Sequence, residues 1–463
     1  MKTKFYLFIL ALSGTWCLII PKITVSQSYW QKNYPVEITQ GIGHDVQETP
    51  DGGFIFAGEI DYDLGAIIHK ARLVKVDADG NMQWEKTYQT PDQGSYSGAL
   101  SVRVTPDGGY AFAGFSYGQV FFVRTDANGD TLFTRTFATD LLERCYVVRL
   151  FPNGDYLLGC GTQGFEGELP FLMRLNPNGD LLWRKDILTL SFATTAIKDI
   201  EIINDDEFVY LFNENFPRLT GADGSGETLW TTNYAISKYD QINGFVISGD
   251  GEFTLAGFAT GIIGFNPAIS KANNSGNVYW TNFLNPLTYQ ATSVERIPDG
   301  FIAGISASWS SGDTTKVYFS KINAAGGEVW NTAYPGDANS FVAYPTTDGG
   351  FIGAGTLNGT MMLVKTDGSG EITTGNHDPD AFPTLDIFPI PASDFVELKF
   401  GSGLSEVTRL EWLSLDGQLL GRTSLEQGTT NYQLSTAAFP SGVYLLRLVQ
   451  GEAVAVKRVV VQR

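Results

Sequence analysis

Chemistry-bearing side chains are scarce in this chain. It has three cysteines and three histidines in 463 residues, and charged residues make up only 17 %. No His-Glu-x-x-His pair or paired Cys/His set for zinc occurs, so the best-marked metal chemistries lack their residues. No cofactor is expected. Lys and Arg number 31 against 50 Asp and Glu, a formal net charge of −19. Phosphate-backbone binding needs clustered cations, so nucleic acid is not an expected partner. Beyond the N-terminus no apolar run is long enough to cross a membrane.

What is plentiful is turn and ring: 52 Gly, 31 Phe, 20 Tyr and 9 Trp. That profile fits a turn-rich all-β chain. The first residues read differently. Met1–Lys4 is basic, Phe5–Ile20 is apolar, and Thr24-Val25-Ser26 offers a cleavage site before Gln27, so residues 1–26 read as a secretory signal peptide. Trp16 precedes Cys17 where a lipoprotein signal needs a small residue, and no lipid anchor is expected. Cys145 and Cys160 remain, on two strands flanking the turn Pro152–Asp155. Export makes a disulfide between them possible; two buried thiols is the preferred reading.

Two short elements alternate along residues 27–372. One is a polar turn followed by a ring-led strand that ends in small residues. It recurs from Asp51, Asp107, Asn153, Asp205, Asp250, Asp299 and Asp348, a period close to 50 residues. The other is a hairpin whose glycine precedes a large ring by four: Gly80/Trp84, Gly129/Phe133, Gly179/Trp183, Gly226/Trp230, Gly276/Trp280 and Gly326/Trp330. A short alternating strand leads each copy. Four antiparallel strands at this period predict propeller blades, with a solenoid of hairpins as the alternative. The seventh copy lacks its ring, and Tyr29–Tyr34 (YWQKNY) matches Gln83–Tyr88 (QWEKTY). Trp30 is therefore expected to complete the last blade from the far end of the chain, leaving no open sheet edge. The predicted architecture is a seven-bladed β-propeller over 27–372 and a linker over 373–383. A small Ig-like β-sandwich over 384–463 completes the chain, from about seven short alternating strands.

Each repeated residue has a structural explanation. The seven rings Trp30, Trp84, Phe133, Trp183, Trp230, Trp280 and Trp330 are expected to fill the wedges between blades. A cation stands five before the glycine at Lys75, Arg124, Arg174, Lys271, Lys321 and Lys365, with Arg218 displaced by a longer turn. Its stem is expected on the ring layer and its head against a carboxylate. The turns DADGN, DANGD and DGSGE suggest calcium but lack the ligand spacing of an EF-hand loop, and hairpin chemistry accounts for them. No metal is expected there.

The tail carries LDIFPIPAS (Leu385–Ser393), LSLDGQLL (Leu413–Leu420) and SGVYLLRL followed by KRVVV at the C-terminal end. These residues resemble the type A sorting domain of the type IX secretion system of Bacteroidetes, with Ile390 where that family has Asn between its prolines. The resemblance implies export across the outer membrane, with the translocon and a sortase as partners. It also implies a tail that is removed, the cargo being released or joined to surface lipopolysaccharide. Asp-x-x-Gly-x-x-x-Trp at Asp77–Trp84 is similar to Trp-docking and quinoprotein-like propeller repeats. Those repeats have Thr before the glycine and in some members an adjacent Cys pair; this chain has neither, so the resemblance implies the blade and no cofactor.

Turns a–b and c–d are short and uniform, whereas loops b–c and d–a vary, as in Glu59–Ala71, Thr162–Leu169 and Ser306–Lys316. Variable loops on one face of a rigid scaffold are where ligands are met. Tyr62, Asp63, Phe165, Trp309 and Asp313 are the candidate ligand-binding residues. The expected function is a secreted or cell-surface module that binds glycan or protein. A polysaccharide hydrolase or lyase on the same face is the alternative, and no catalytic residue is singled out.

Overall fold

The computed structural model describes residues 29–462 apart from 36–39, 64–66, 91–95, 164–167, 190–194, 235–240, 249–250, 262–263, 286–288, 308–315, 338–340, 373–384, 390–391, 401–402, 405, 415–418, 438 and 451–452. Among the described residues there is no helix, and residues 30–366 form seven four-stranded antiparallel sheets. β1 is Trp30–Tyr34. The first sheet is β2 (Gln40–Glu48), β3 (Phe54–Asp63), β4 (Ile67–Val76) and β5 (Met82–Tyr88), side by side in chain order. Sheets two to six repeat that order as β6–β9 (97–137), β10–β13 (143–186), β14–β17 (199–233), β18–β21 (241–283) and β22–β25 (289–335). The seventh is β26 (Val342–Pro345), β27 (Phe351–Leu357) and β28 (Thr360–Thr366), and its fourth strand is β1. Trp30 lies opposite Lys365 and Tyr34 opposite Met361. The first strands β2, β6, β10, β14, β18, β22 and β26 touch in succession, and β26 touches β2. The sheets thus close into a ring, a propeller-like arrangement.

The Gly-to-ring spacing follows from how neighbouring sheets meet. The ring on each outer strand lies against the c–d turn of the next sheet. A Cβ built on Gly80 would stand 2.7 Å from Trp30, one on Gly129 2.7 Å from Trp84, and one on Gly370 2.6 Å from Trp330. These glycines have φ of +73°, +77° and +77°, so both the left-handed backbone and the approaching ring require glycine. The second aromatic of the strand clamps the same turn. Tyr34 donates to Gly80 O at 3.0 Å and Tyr88 to Gly129 O at 2.8 Å. The two repeated elements also meet each other: Trp30 stands edge-on to Phe54, Trp84 tilts against Tyr110, and Trp330 meets Phe351. One junction departs from the rule. Gly276 faces Thr232 rather than Trp230, whose ring leans over Gly221 of its own sheet.

The repeated cations lie under the a–b turn of their own sheet. Lys75 Nζ reaches Asp51 at 2.9 Å, Arg174 Nη2 reaches Asp155 at 2.8 Å, Lys321 Nζ reaches Asp299 at 2.8 Å and Lys365 Nζ reaches Asp348 at 2.7 Å. Arg124 pairs with Asp107 in the same way. A Cβ on Gly53 or Gly350 would run into the Val76 carbonyl or that of Thr366, with the lysine head next nearest, which is why the turn motif carries a second glycine.

One expectation is corrected. Cys145 and Cys160 are joined by a disulfide. They face each other directly across β10 (Glu143–Leu150) and β11 (Tyr156–Gln163), at the place where a bulge shifts the register, and directly opposed strand positions bring Cβ atoms within reach.

The tail is a separate two-sheet unit. β29 (Leu385–Phe388), β30 (Phe395–Phe400) and β33 (Asn431–Ser435) form one sheet. β32 (Leu419–Leu425), β31 (Thr408–Leu413), β34 (Gly442–Gln450) and β35 (Ala453–Val461) form the other. Val396, Leu398, Leu410, Trp412, Leu446 and Leu448 share one core, so the sheets pack face to face.

Candidate functional site

The inner ring of first strands surrounds a channel, and its lining can be counted back from each a–b turn. Six residues before the turn stand Asp45, Ser101, Val147, Asp199, Gly244, Ser293 and Val342; four before it stand Gln47, Arg103, Arg149, Glu201, Val246, Glu295 and Tyr344. The first set joins neighbouring sheets. Asp45 accepts from Val102 N at 3.0 Å, Asp199 from Phe245 N at 3.2 Å, Ser101 from Val148 N at 3.3 Å and Ser293 from Ala343 N at 2.9 Å. Asp45 is the most heavily engaged. Its carboxylate also takes Ser101 Oγ at 2.9 Å, Arg103 Nη1 at 2.6 Å and the Tyr344 hydroxyl at 2.8 Å. Three consecutive sheets, the seventh, first and second, thus meet at one side chain. Arg149 pairs with Asp199 at 2.6 Å.

Among the described residues no cation pairs with Glu201 or Glu295 as Arg149 does with Asp199. The two glutamates line a cavity of about 360 Å³ with Gln47, Glu48, Arg103, Arg149 and Tyr344, on the side of the channel toward the a–b turns. Burial and the nearby Asp199 push the Glu201 carboxyl up to about 7. Burial, Glu201 and Asp199 push Glu295 up to about 8. Glu201 and Asp199 raise Glu295 because like charges resist ionising in a partly desolvated space. Burial also raises Asp199 against the pull of Arg149, and raises the Tyr344 hydroxyl far above its ordinary value.

The other mouth, toward loops d–a, has a different character. His44, Tyr146, Lys198, Asn243 and Thr292 surround a smaller cavity of about 100 Å³ above Asp45 and Arg149. Burial lowers the Lys198 ammonium, opposed by Glu168. The Tyr146 hydroxyl donates to Glu168. Both histidines of the described residues stand beside carboxylates of β3. His44 Nε2 lies 3.4 Å from Glu59, and His69 pairs with Asp61. Burial raises Glu59, but His44, His69 and Arg144 outweigh it and hold the carboxyl below its ordinary value. Tyr96 stands edge-on to His69 and accepts from Arg144 at 3.3 Å.

Of the residues singled out from sequence, Tyr62 and Asp63 end β3, opposite Ile68 and Ile67; their side chains fall outside the described residues. Phe165, Trp309 and Asp313 also fall outside them. Sequence reasoning misses the channel set and the His–carboxylate pairs. The channel set does leave a faint signal, recurring at fixed distances before each turn, but with no one residue type kept from repeat to repeat. Among the described residues no cluster of three metal-ligating side chains occurs.

Residues 386–462 match the secretion system C-terminal sorting domain. No curated protein matches the chain in sequence. Among solved structures, a protein of unknown function from Bacteroides caccae is similar at 12 % identity and a TM-score of 0.40, over 64 % of this chain and 94 % of that one. A puromycin hydrolase variant is similar at 14 % identity and a TM-score of 0.49, over 81 % of this chain. This chain spans 61 % of that hydrolase. At these values the likenesses assign no activity. The tail match does carry weight, because it falls on the separate two-sheet unit. The C-terminal unit is a sorting domain of the type IX secretion system, and it marks the chain for export to the cell surface or the medium.

Proposed function

We propose that the chain is an exported binding module. In this reading a signal peptide over 1–26 leads to a seven-bladed propeller over 27–372, and a linker over 373–383 joins an Ig-like sorting domain over 384–463. The propeller engages a glycan at the d–a mouth of its channel. The observation that carries this is a division of labour along the channel. Asp45, Arg103, Arg149 and Asp199, and also Asn243 and Thr292 through the Ala291 and Phe341 carbonyls, bond neighbouring sheets, whereas His44 and Tyr146 meet carboxylates of their own sheets and stand with Lys198 beside the open cavity that all of these residues line. Imidazole, phenol, amine, amide and hydroxyl groups around a small hollow match the alternating donors and acceptors of a sugar ring. The test is a glycan array probed with the exported protein and with Asn243→Ala and Lys198→Ala. Binding of one glycan class, weakened about tenfold or more by each substitution, is expected. Turnover of a polysaccharide with no retained ligand sinks the reading.

One observation favours a second reading, a polysaccharide hydrolase or lyase. Glu201 and Glu295 have carboxyls poised near neutral pH in the same channel, the condition for a general acid. Glu201→Gln and Glu295→Gln then abolish turnover while leaving glycan retention intact.

A further inference from the structure

The tail contains a cavity of about 230 Å³ floored by Leu410, Trp412 and Leu446. Its walls are Gly421–Thr423 of β32, Leu434–Ser435 of β33 and Phe439. Both flanking strands are the outermost of their sheets, so the cavity opens at the side of the sandwich rather than through a loop end. Trp412 is 3 % exposed, and its indole N–H is buried with no hydrogen-bond partner among the described residues. A buried donor without a partner is costly and uncommon in a finished fold. Among the described residues the sheet ending in β33 has three strands and the sheet facing it has four. The exposed side chains of β33 are the uncharged Asn431, Gln433 and Ser435. Nothing there blunts the edge in the way charge or proline does. By contrast β32 presents Arg422.

We propose that this slot is a docking site for an extended strand donated by a partner protein. The donated strand pairs with the free edge of β33 and brings that sheet to four strands. It seats one large apolar side chain in the cavity and offers a backbone carbonyl to the Trp412 N–H. The size fits, since an apolar cavity of about 150 Å³ already holds benzene. Strand addition of this kind takes affinity from main-chain hydrogen bonds and selectivity from the pocket. The inference rests on the tail being the part of the chain handled during export.

The test is photo-crosslinking in exporting cells, using the full chain with a photoreactive residue at Ser435 and a control at Lys399 on the outward face of β30. The expected result is one adduct from position 435 and none from 399, mapping to an extended segment of another protein. Gly421→Trp, at a glycine whose Cβ would meet nothing within 4 Å, fills the slot and removes the adduct. Trp412→Phe removes the unpaired donor together with the second ring of the indole. It should lower adduct yield about tenfold or more, the effect of one buried hydrogen bond, with the melting temperature of the variant measured beside it so that loss of fold is not read as loss of docking. Adducts between two copies of this chain, equal adducts at 399, no adduct, or an unchanged yield in Trp412→Phe each overturn the proposal. Deleting 386–462 separates the two ideas. If export continues without the tail, the underlying reading fails; if export stops while the slot variants are exported normally, only the docking site fails.

Discussion

At the scale of single residues, the folded chain tolerates charge in its interior only where a partner is fixed beside it. Lys365 is 3 % exposed and meets Asp348 and the Thr366 carbonyl. Asp348→Asn therefore leaves a buried ammonium short of its counter-ion, and a stability loss of about 3 kcal/mol is expected in denaturant titration. Adding Lys365→Met should recover most of it, because removing both charges removes the unpaired one. Glu201 and Glu295 behave in the opposite sense. Their folded carboxyls hold protons up to about 7 and about 8, whereas an unfolded glutamate releases its proton near pH 4.3. Between those values the folded form binds more protons, so stability falls as pH rises. The melting temperature should decline from about pH 5 to about pH 8 in the native protein. In Glu201→Gln/Glu295→Gln the decline should be distinctly shallower; parallel curves for the two proteins defeat this account.

Elements show why part of this molecule was legible in its sequence and part was not. The hairpin glycine and the ring four residues later are bound by one contact, the ring of one sheet against the turn of the next, so every repeat keeps both and the period stands out. The same contact let Trp30 be placed on the seventh sheet from a six-residue match. Channel residues obey no such constraint. Asp45 and Asp199 make the inter-sheet bond with a carboxylate, Ser101 and Ser293 make it with a hydroxyl, and Val147, Gly244 and Val342 have no side-chain group for it, so no single letter marks the position in every repeat. The cysteines failed for a subtler reason. Whether two strand residues oppose or sit diagonally depends on one bulge, which composition does not encode. A prediction belongs to the closing element. Trp30 is 2 % exposed and fills the seam between the seventh and first sheets. Trp30→Ala should cost about 3–5 kcal/mol and expose the seam first. Hydrogen exchange should quicken in β28 and the Asp77–Gly80 turn before β10–β13; uniform quickening throughout the ring counts against a seam.

The whole molecule is two bodies with separate cores. Each of the buried clusters lies wholly in 30–372 or wholly in 387–461. Truncation after residue 372 should therefore leave the melting temperature of the ring within a few degrees of its value in the full chain, measured by calorimetry as two transitions becoming one. A single transition in the intact protein counts against the division. This separation suits a chain whose tail serves transport and whose ring acts once transport is complete. In the proposed reading the wall of the channel is the part of the ring that function and fold share, since Asp45 and Asp199 bind neighbouring sheets in the channel that His44, Lys198 and Glu295 also line.

The pairing of Trp30 with Lys365 also sets an order in time. A chain emerges from its N-terminal end, so β1 is the first strand of the ring to be made and β28, the strand it pairs with, is the last. Until residue 366 exists, the six sheets between can form their own hairpins, but the first strand has nowhere to go. The loop it must close is the longest in the domain, and entropy makes such contacts late. Completion of the ring is thus a signal that the whole propeller has been synthesised. A truncated product, however well its early sheets fold, is left with one loose strand and one unpaired edge, a state that quality control and aggregation both recognise.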